Sequence, residues 1–450
     1  MSSSDHLDGV VGAHVLVFPF PAPGHIIPFL DLVQILINHG IKVTVLVTPP
    51  QLPLLDPILS SIQTLVLSPP DLPPTTNSSH PGILTTLALR CLSKPIIQWF
   101  RSHPYPPVAI ISDLLLGWTQ ELARDLGVPR VVFWTSGASA ASVYDCVWRD
   151  LPTVDDPDDE NSIISIPTLP NSPTYTWWQM SPQHRGFKKG DPGWEFFRNS
   201  LLANFGSWGA VLNSFTELER VYIDHMKKEM GHDRVWAVGP LLASDDDVAD
   251  STERGGYSSQ QIHEVISWLD SKEEESVVYI CFGSRWTITT NQAVALAAAI
   301  EHGFESRVEG KGFILRGWAP QVAILRHRAV GAFVSHCGWN STLEAITAGV
   351  LMLTWPLGAD QFINAKLLVD ELGVAVIFFE DGNRTTPDPA ELSRLLGESV
   401  SGKWPERPRV MELSKAAKEA PGGGSSSRDM EALVQQLVQL GRTTIPTMDN

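Results

Sequence analysis

The sequence predicts an α/β protein built from two doubly wound halves that face each other across a cleft. Three observations carry this. With 450 residues the chain exceeds what one hydrophobic core usually organises, so two domains of about 200 residues each are expected. Short apolar runs alternate with helical patterns, the signature of parallel βαβ units. A polar stretch, SDDDVADSTERGGYSS at 244–259, then interrupts the alternation, after which it restarts.

In the first half the apolar runs His14 to Phe20, Ile41 to Thr48, Thr64 to Leu67, Val108 to Asp113, Arg130 to Trp134 and Ala210 to Asn213 read as buried strands. Amphipathic stretches between them, such as Ile26 to Asn38 and Trp118 to Leu126, close on Gly40 and Gly127, where a helix needs a left-handed cap. In the second half strands are expected at Ser276 to Phe282, Phe313 to Arg316, Val330 to Val334 and Val350 to Thr354. Helices are expected near Gln292 to Glu301, Thr342 to Ala348, Gln361 to Leu372, Asp388 to Leu396 and Arg428 to Leu440. The resulting division is an N-terminal domain at 1–243, a linker at 244–260, a C-terminal domain at 261–427 and a tail at 428–450.

The formal net charge of −17 argues against nucleic acid and anionic membrane surfaces, which are bound through clustered Lys and Arg. A phosphate-bearing ligand must then be held by backbone dipoles and a few donors. The four cysteines, Cys91, Cys146, Cys281 and Cys337, show no metal or disulfide spacing and fit a reducing compartment. The first residues lack the basic start of a signal peptide, and no apolar run approaches the roughly 18 residues of a membrane span. A cytoplasmic monomer is the expectation.

In an open α/β sheet, ligands bind beyond the carboxyl ends of the strands where strand order reverses. Those ends carry Pro23-Gly24-His25 and Ser112-Asp113 in the first half, Phe282-Gly283-Ser284 and Ser335-His336-Cys337-Gly338-Trp339-Asn340-Ser341 in the second. The last of these joins a strand directly to a helix. Free N–H groups at a helix start make an anion site, Gly338 lets the backbone approach, and Asn340 and Ser341 add donors, which suits a diphosphate. An ordinary N-cap would need only Asn or Ser. His25, at the start of a helix, suits a neutral general base, with Asp113 as its partner; each residue taken alone is equally a capping or turn residue. No GxGxxG or GxxxxGK[ST] occurs, which sets aside a nicotinamide dehydrogenase and a P-loop. Asp245-Asp246-Asp247 formally contains a DxD but lies in the polar linker and reads as a solvated acidic run.

From Trp318-Ala319-Pro320-Gln321, through His336 to Ser341 and Glu344, to Asp360-Gln361, the chain resembles a plant secondary-product glycosyltransferase, along with FPFPAPGHIIPFLDL, ISDLLLGW, FWTSGA, VGPL and FGS elsewhere. The resemblance implies the GT-B fold, two facing Rossmann-like domains, and transfer of a sugar from a UDP-sugar to a small lipophilic acceptor, without metal or other cofactor. It implies that Trp318 stacks on uracil with Ala319 beside it, that Gln321 helps hold the uridine, and that Glu344 accepts from the ribose. His336, Gly338, Asn340, Ser341 and Ser284 would bind the diphosphate. Trp339, Asp360, Gln361 and Thr135 would contact the sugar, and Gln361 favours glucose. His25 would deprotonate a phenolic hydroxyl, with Asp113 as its partner, and a flavonoid is the expected acceptor. Trp118, Trp177, Trp178 and Trp194 are candidates for lining the acceptor pocket.

One departure accompanies the resemblance. After the helix near Glu301 the family continues with a strand and a loop, whereas here Ile300-Glu301-His302 runs straight into Gly303. The segment Pro69 to Leu92 also looks short. Without the second strand of the donor half, Phe313 to Arg316 must slide about 4.8 Å into the vacant slot or leave backbone groups unpaired. That motivates a second expectation, a silent isoform that binds nucleotide or a partner without turnover.

Overall fold

The computed structural model describes residues 13–71, 81–156, 158–242, 259–308, 312–402 and 404–444. Its first sheet is built from β1 (His14–Phe18), β2 (Lys42–Val47), β3 (Gln63–Val66), β4 (Ala109–Asp113) and β5 (Arg130–Trp134). A small antiparallel hairpin follows, β6 (Ile163–Ser165) with β7 (Thr174–Thr176), and then β8 (Gly209–Leu212) and β9 (Val235–Ala237) complete the sheet. All seven strands of the sheet run parallel in the order β3-β2-β1-β4-β5-β8-β9. β1 is therefore the switch strand: Val15 lies between Val43 of β2 and Ala109 of β4. The five residues of β1, β4 and β5 are all buried, as helices on both faces of a parallel sheet require.

The second half carries β10 (Val277–Cys281), β11 (Val330–Ser335), β12 (Leu351–Thr354) and β13 (Ala375–Ile377), parallel and in that order. Here one expectation fails. Phe313 to Arg316 forms no strand, and β10 ends the sheet among the described residues. β10 is only half-buried along its length, while β11 and β12 are buried throughout. The reason is competition for the apolar side chains of 313–315. Phe313 packs on Trp268, ring centroids 5.7 Å apart, and Leu315 against the central core, while Ile314 is 84% exposed. The backbone is held by this packing on the helix Ser259–Asp270 rather than by a ladder. The linker positions 243–258, including Asp245-Asp246-Asp247, and residues 72–80 of the shortened segment lie outside the described residues.

The two halves share a core. One apolar cluster runs from Trp134, Phe215 and Tyr222 in the first half to Phe333, Trp339 and Leu343 in the second. The last helix, Ser425–Thr444, returns to the first half. Met430, Leu433 and Leu437 bury against Val15, Phe29 and Trp236, and the Asp429 carboxylate accepts from the Ala237 amide at 2.8 Å. Leu433 has no exposure, so Leu433→Ala should destabilise the first half by about 2–5 kcal/mol, read as a lower urea midpoint. An unchanged midpoint would mean that this helix does not close the core.

Candidate active site

The site begins at the switch point. β1 leads into the helix Pro23–Asn38, whose third residue is His25, and the neighbouring β4 ends on Asp113. His25 Nδ1 lies 2.9 Å from Asp113 Oδ2 and 3.2 Å from Thr135 Oγ1. Asp113 is fully buried, and its Oδ1 accepts from the Leu115 amide at 2.9 Å, which fixes the carboxylate against the turn after β4. An ionised carboxylate only accepts, so the proton of a neutral His25 sits on Nδ1 and the lone pair on Nε2. The arrangement is that of an oriented base.

Opposite stands the turn between β11 and the helix Trp339–Ala348. Cys337 adopts φ +64°, the left-handed region, held there by its amide donating to Ser335 Oγ and by Asn364 donating to its carbonyl. His336 is clamped between two glycines: a Cβ at Gly283 or at Gly338 would lie 2.6 or 2.5 Å from its Nε2. Burial lowers the His336 pKa to about 4, which keeps the ring neutral at physiological pH. Gln321 Nε2 donates to Ser341 Oγ at 2.8 Å and to Glu344 Oε2 at 2.6 Å, so these three form one polar cluster under the exposed Trp318. Gln361 Oε1 accepts from the Leu357 and Gly358 amides. Gln361 also lines the cleft.

Two contacts join the walls. Trp339 Nε1 donates to the Asn213 carbonyl at 2.7 Å, with its ring against Gly137, where a Cβ would lie 2.6 Å away. Asn340 Nδ2 donates to the Gly24 carbonyl at 3.0 Å. That carbonyl is free for a physical reason: the residue four positions on is Pro28, which has no N–H to return to it.

Between the walls lies a cavity of about 830 Å³, in the range of small-molecule sites. It is lined by His25 and by Ser284, Trp318, Ala319, Gln321, His336, Gly338, Trp339, Asn340, Ser341, Glu344, Asp360, Gln361 and Thr135. Every donor-side residue picked out in the sequence thus faces one space. None of the four candidate acceptor tryptophans lines it. Trp118, Trp177 and Trp194 are buried in three separate apolar clusters, and Trp178 lines a smaller neighbouring cavity, its ring under Arg384. The first-half wall is made instead by Leu114, Leu115, Tyr144, Trp148, Phe197 and Leu201, with Arg285 and Trp286 from the second half. Tyr144 and Trp148 share one face of the helix Ala138–Asp150, which reads in sequence as an ordinary core helix. Leu114 and Leu115 follow Asp113 directly, the one local signal that could have found them. Among the described residues no three His, Cys, Asp or Glu are grouped to hold a metal ion, and no helix is long and apolar enough to cross a membrane.

Comparison with known proteins agrees with this geometry. The family model "UDP-glucoronosyl and UDP-glucosyl transferase" matches residues 254–421. Flavonol 3-O-glucosyltransferase UGT89B1 of Arabidopsis thaliana is 46% identical, the match covering 95% of this chain and 97% of the relative. UDP-glycosyltransferase 89B2 of Stevia rebaudiana is 45% identical, over 95% and 98% respectively. The Arabidopsis thaliana UGT89C1 structure with UDP-L-rhamnose superposes with a TM-score of 0.77 at 33% identity, covering 95% of this chain and 99% of that one. UGT89C1 with quercetin gives 0.75 at 33% identity, covering 95% and 100%. The UGT89B1 alignment runs over 472 positions, while 95% of a 450-residue chain is about 428 residues, so roughly 44 positions of that relative have no counterpart here. The chain is shortened within an otherwise continuous match, and nothing in these comparisons supports a silent isoform. With the GT-B architecture and identity of this extent, the chain belongs to the family of UDP-glycosyltransferases.

Proposed function

We propose that this enzyme transfers glucose from UDP-glucose to a phenolic hydroxyl of a flavonoid or related plant phenolic, in one inverting step without a metal, as a cytoplasmic monomer. The observation that carries the reading is His25, oriented by the buried Asp113 and lining the same cavity as the residues assigned to uridine, diphosphate and sugar. The relatives' names, flavonol glucosyltransferase and a neighbour with bound quercetin, favour the acceptor class. The four free cysteines suit a reducing compartment.

In this reading Trp318 stacks on uracil with Ala319 beside it, Gln321 and Glu344 hold the nucleoside, and the helix start with Gly338, Asn340, Ser341, His336 and Ser284 receives the diphosphate. Gln361 donates to the sugar, and Asp360, Trp339 and Thr135 contact it. The flat acceptor lies against Leu114, Leu115, Tyr144, Trp148 and Phe197. Its hydroxyl gives a proton to His25 Nε2 as the oxygen attacks the anomeric carbon. The bond to the diphosphate breaks on the opposite face, and UDP leaves with the electron pair. Asp113 stabilises the imidazolium that forms.

The unmodified chain, UDP-glucose and quercetin should yield a quercetin glucoside, and His25→Ala should lower kcat by about 10²–10⁴-fold with UDP binding unchanged. Undiminished turnover by that variant would refute the base assignment. Gly338→Ala forces the His336 ring away from the turn and should weaken UDP binding at least about tenfold, roughly 1.4 kcal/mol, in a calorimetric titration. Wild-type affinity would remove this turn from the diphosphate site.

A further inference from the structure

Beneath the dyad lies a charge that the mechanism has not used. Arg130, the first residue of β5, has no solvent exposure. Its Nε donates to Ser112 Oγ at 2.8 Å and its Nη1 to Ser207 Oγ at 2.8 Å. Its Nη2 donates to Asn204 Oδ1 at 3.0 Å and to the Asp113 carbonyl at 3.2 Å. All four acceptors are neutral. A guanidinium fully removed from water is costly, and a fork on neutral oxygens offsets only part of that cost. Burial brings its pKa down to about 9, opposed by the Asp113 charge. At neutral pH it therefore remains a cation, directly behind the carboxylate that orients His25.

The fork also holds the backbone that carries Asp113. Two of its arms end on Ser112 and on the Asp113 carbonyl, and two on the segment after the helix Pro192–Leu202. Asn204, gripped by the fork, donates in turn to the Leu114 carbonyl at 2.8 Å. The turn after β4 is thus fixed from both sides. These segments are in close contact, since a Cβ on Gly117 would fall 1.6 Å from the Ser200 carbonyl oxygen. Asp360 also interacts with His25, from across the cleft.

We propose that Arg130 is a positioning residue for the transfer reaction. Its fork keeps the Asp113 carboxylate in place, and Asp113 in turn holds the His25 ring with Nε2 toward the acceptor. The inference rests on His25 acting as the base. Its consequence is specific: removing Arg130 harms catalysis through Asp113 and not through donor binding.

The test is a double-mutant cycle between Arg130→Met and Asp113→Asn, with kcat and KM for UDP-glucose as readouts. Arg130→Met is expected to lose about 10²-fold in kcat, as misplacement of a catalytic group does, with KM for UDP-glucose within about twofold of wild type. Arg130→Lys, which keeps a donor at this position but not the fork, should recover part of the lost kcat. In the Asp113→Asn background the Arg130→Met loss should vanish. An equal loss with and without Asp113 would overturn the proposal and leave Arg130 a structural residue. If Arg130→Met fails to bind UDP and so has not folded, Arg130→Lys carries the same cycle. A smaller loss that disappears with Asp113→Asn supports the proposal, and one that persists refutes it. Full turnover by His25→Ala would instead remove the base reading itself, a distinct failure.

Discussion

The hydrogen bond between His25 and a carboxylate with no access to solvent sets what the cleft can do. It exists because strand order reverses at β1, which places the ends of β1 and β4 side by side although the two residues stand 88 positions apart. A helix start, a buried anion and an apolar wall then meet at one point. In the proposed mechanism none of these alone suffices, since without Asp113 the His25 ring has no fixed tautomer, and the turn that carries Asp113 is itself held by the Arg130 fork.

The second half must be held at a fixed distance from that point, and local sequence details accomplish this. Pro28 withholds an N–H from Gly24, so the Gly24 carbonyl takes the Asn340 amide from across the cleft. Gly137 has no room for a Cβ because the Glu219 carboxylate and the Trp339 ring meet there. Glu219 in turn accepts from the Ala138 and Ser139 amides at the start of the helix Ala138–Asp150 and from Ser214. The last helix, packed on the first half while the chain before it belongs to the second, adds a strap between them.

Much of this was legible in the sequence, and the physical reason differs by element. Strands buried on both faces are near-continuous apolar runs, so β1, β2, β4, β5 and β11 appear plainly. β13 and the β6–β7 hairpin, three residues each, carry too little pattern to be seen. Phe313 to Arg316 has a strand's composition, but Phe313 packs on Trp268 and Leu315 on the core and the segment does not join the open edge of β10; pairing is a property of the sheet, not of the segment. The site residues clustered at turns were readable because His, Gly, Trp and Asn have little reason to crowd into one strand-to-helix junction. The acceptor wall was not: tryptophans in loops look available, yet Trp118, Trp177 and Trp194 fill the core, while Tyr144 and Trp148 line the cavity from a helix that gives no sign of it. Arg130 was read only as the start of a strand, because the loss of solvent around a charge is a tertiary fact.

The sheet of the donor half stops at β10, and Trp318 follows a segment that forms no strand and packs through Phe313 on Trp268. Gln321 is nonetheless bonded to both Ser341 and Glu344, which sit on the helix following β11, a strand paired on both sides. Isothermal titration of UDP into the purified chain tests this most directly and needs no acceptor. Stoichiometric binding with a Kd in the micromolar range, about −8 kcal/mol, is the predicted result. No detectable binding by a folded protein would contradict it, and would mean that the open edge costs the chain its donor site.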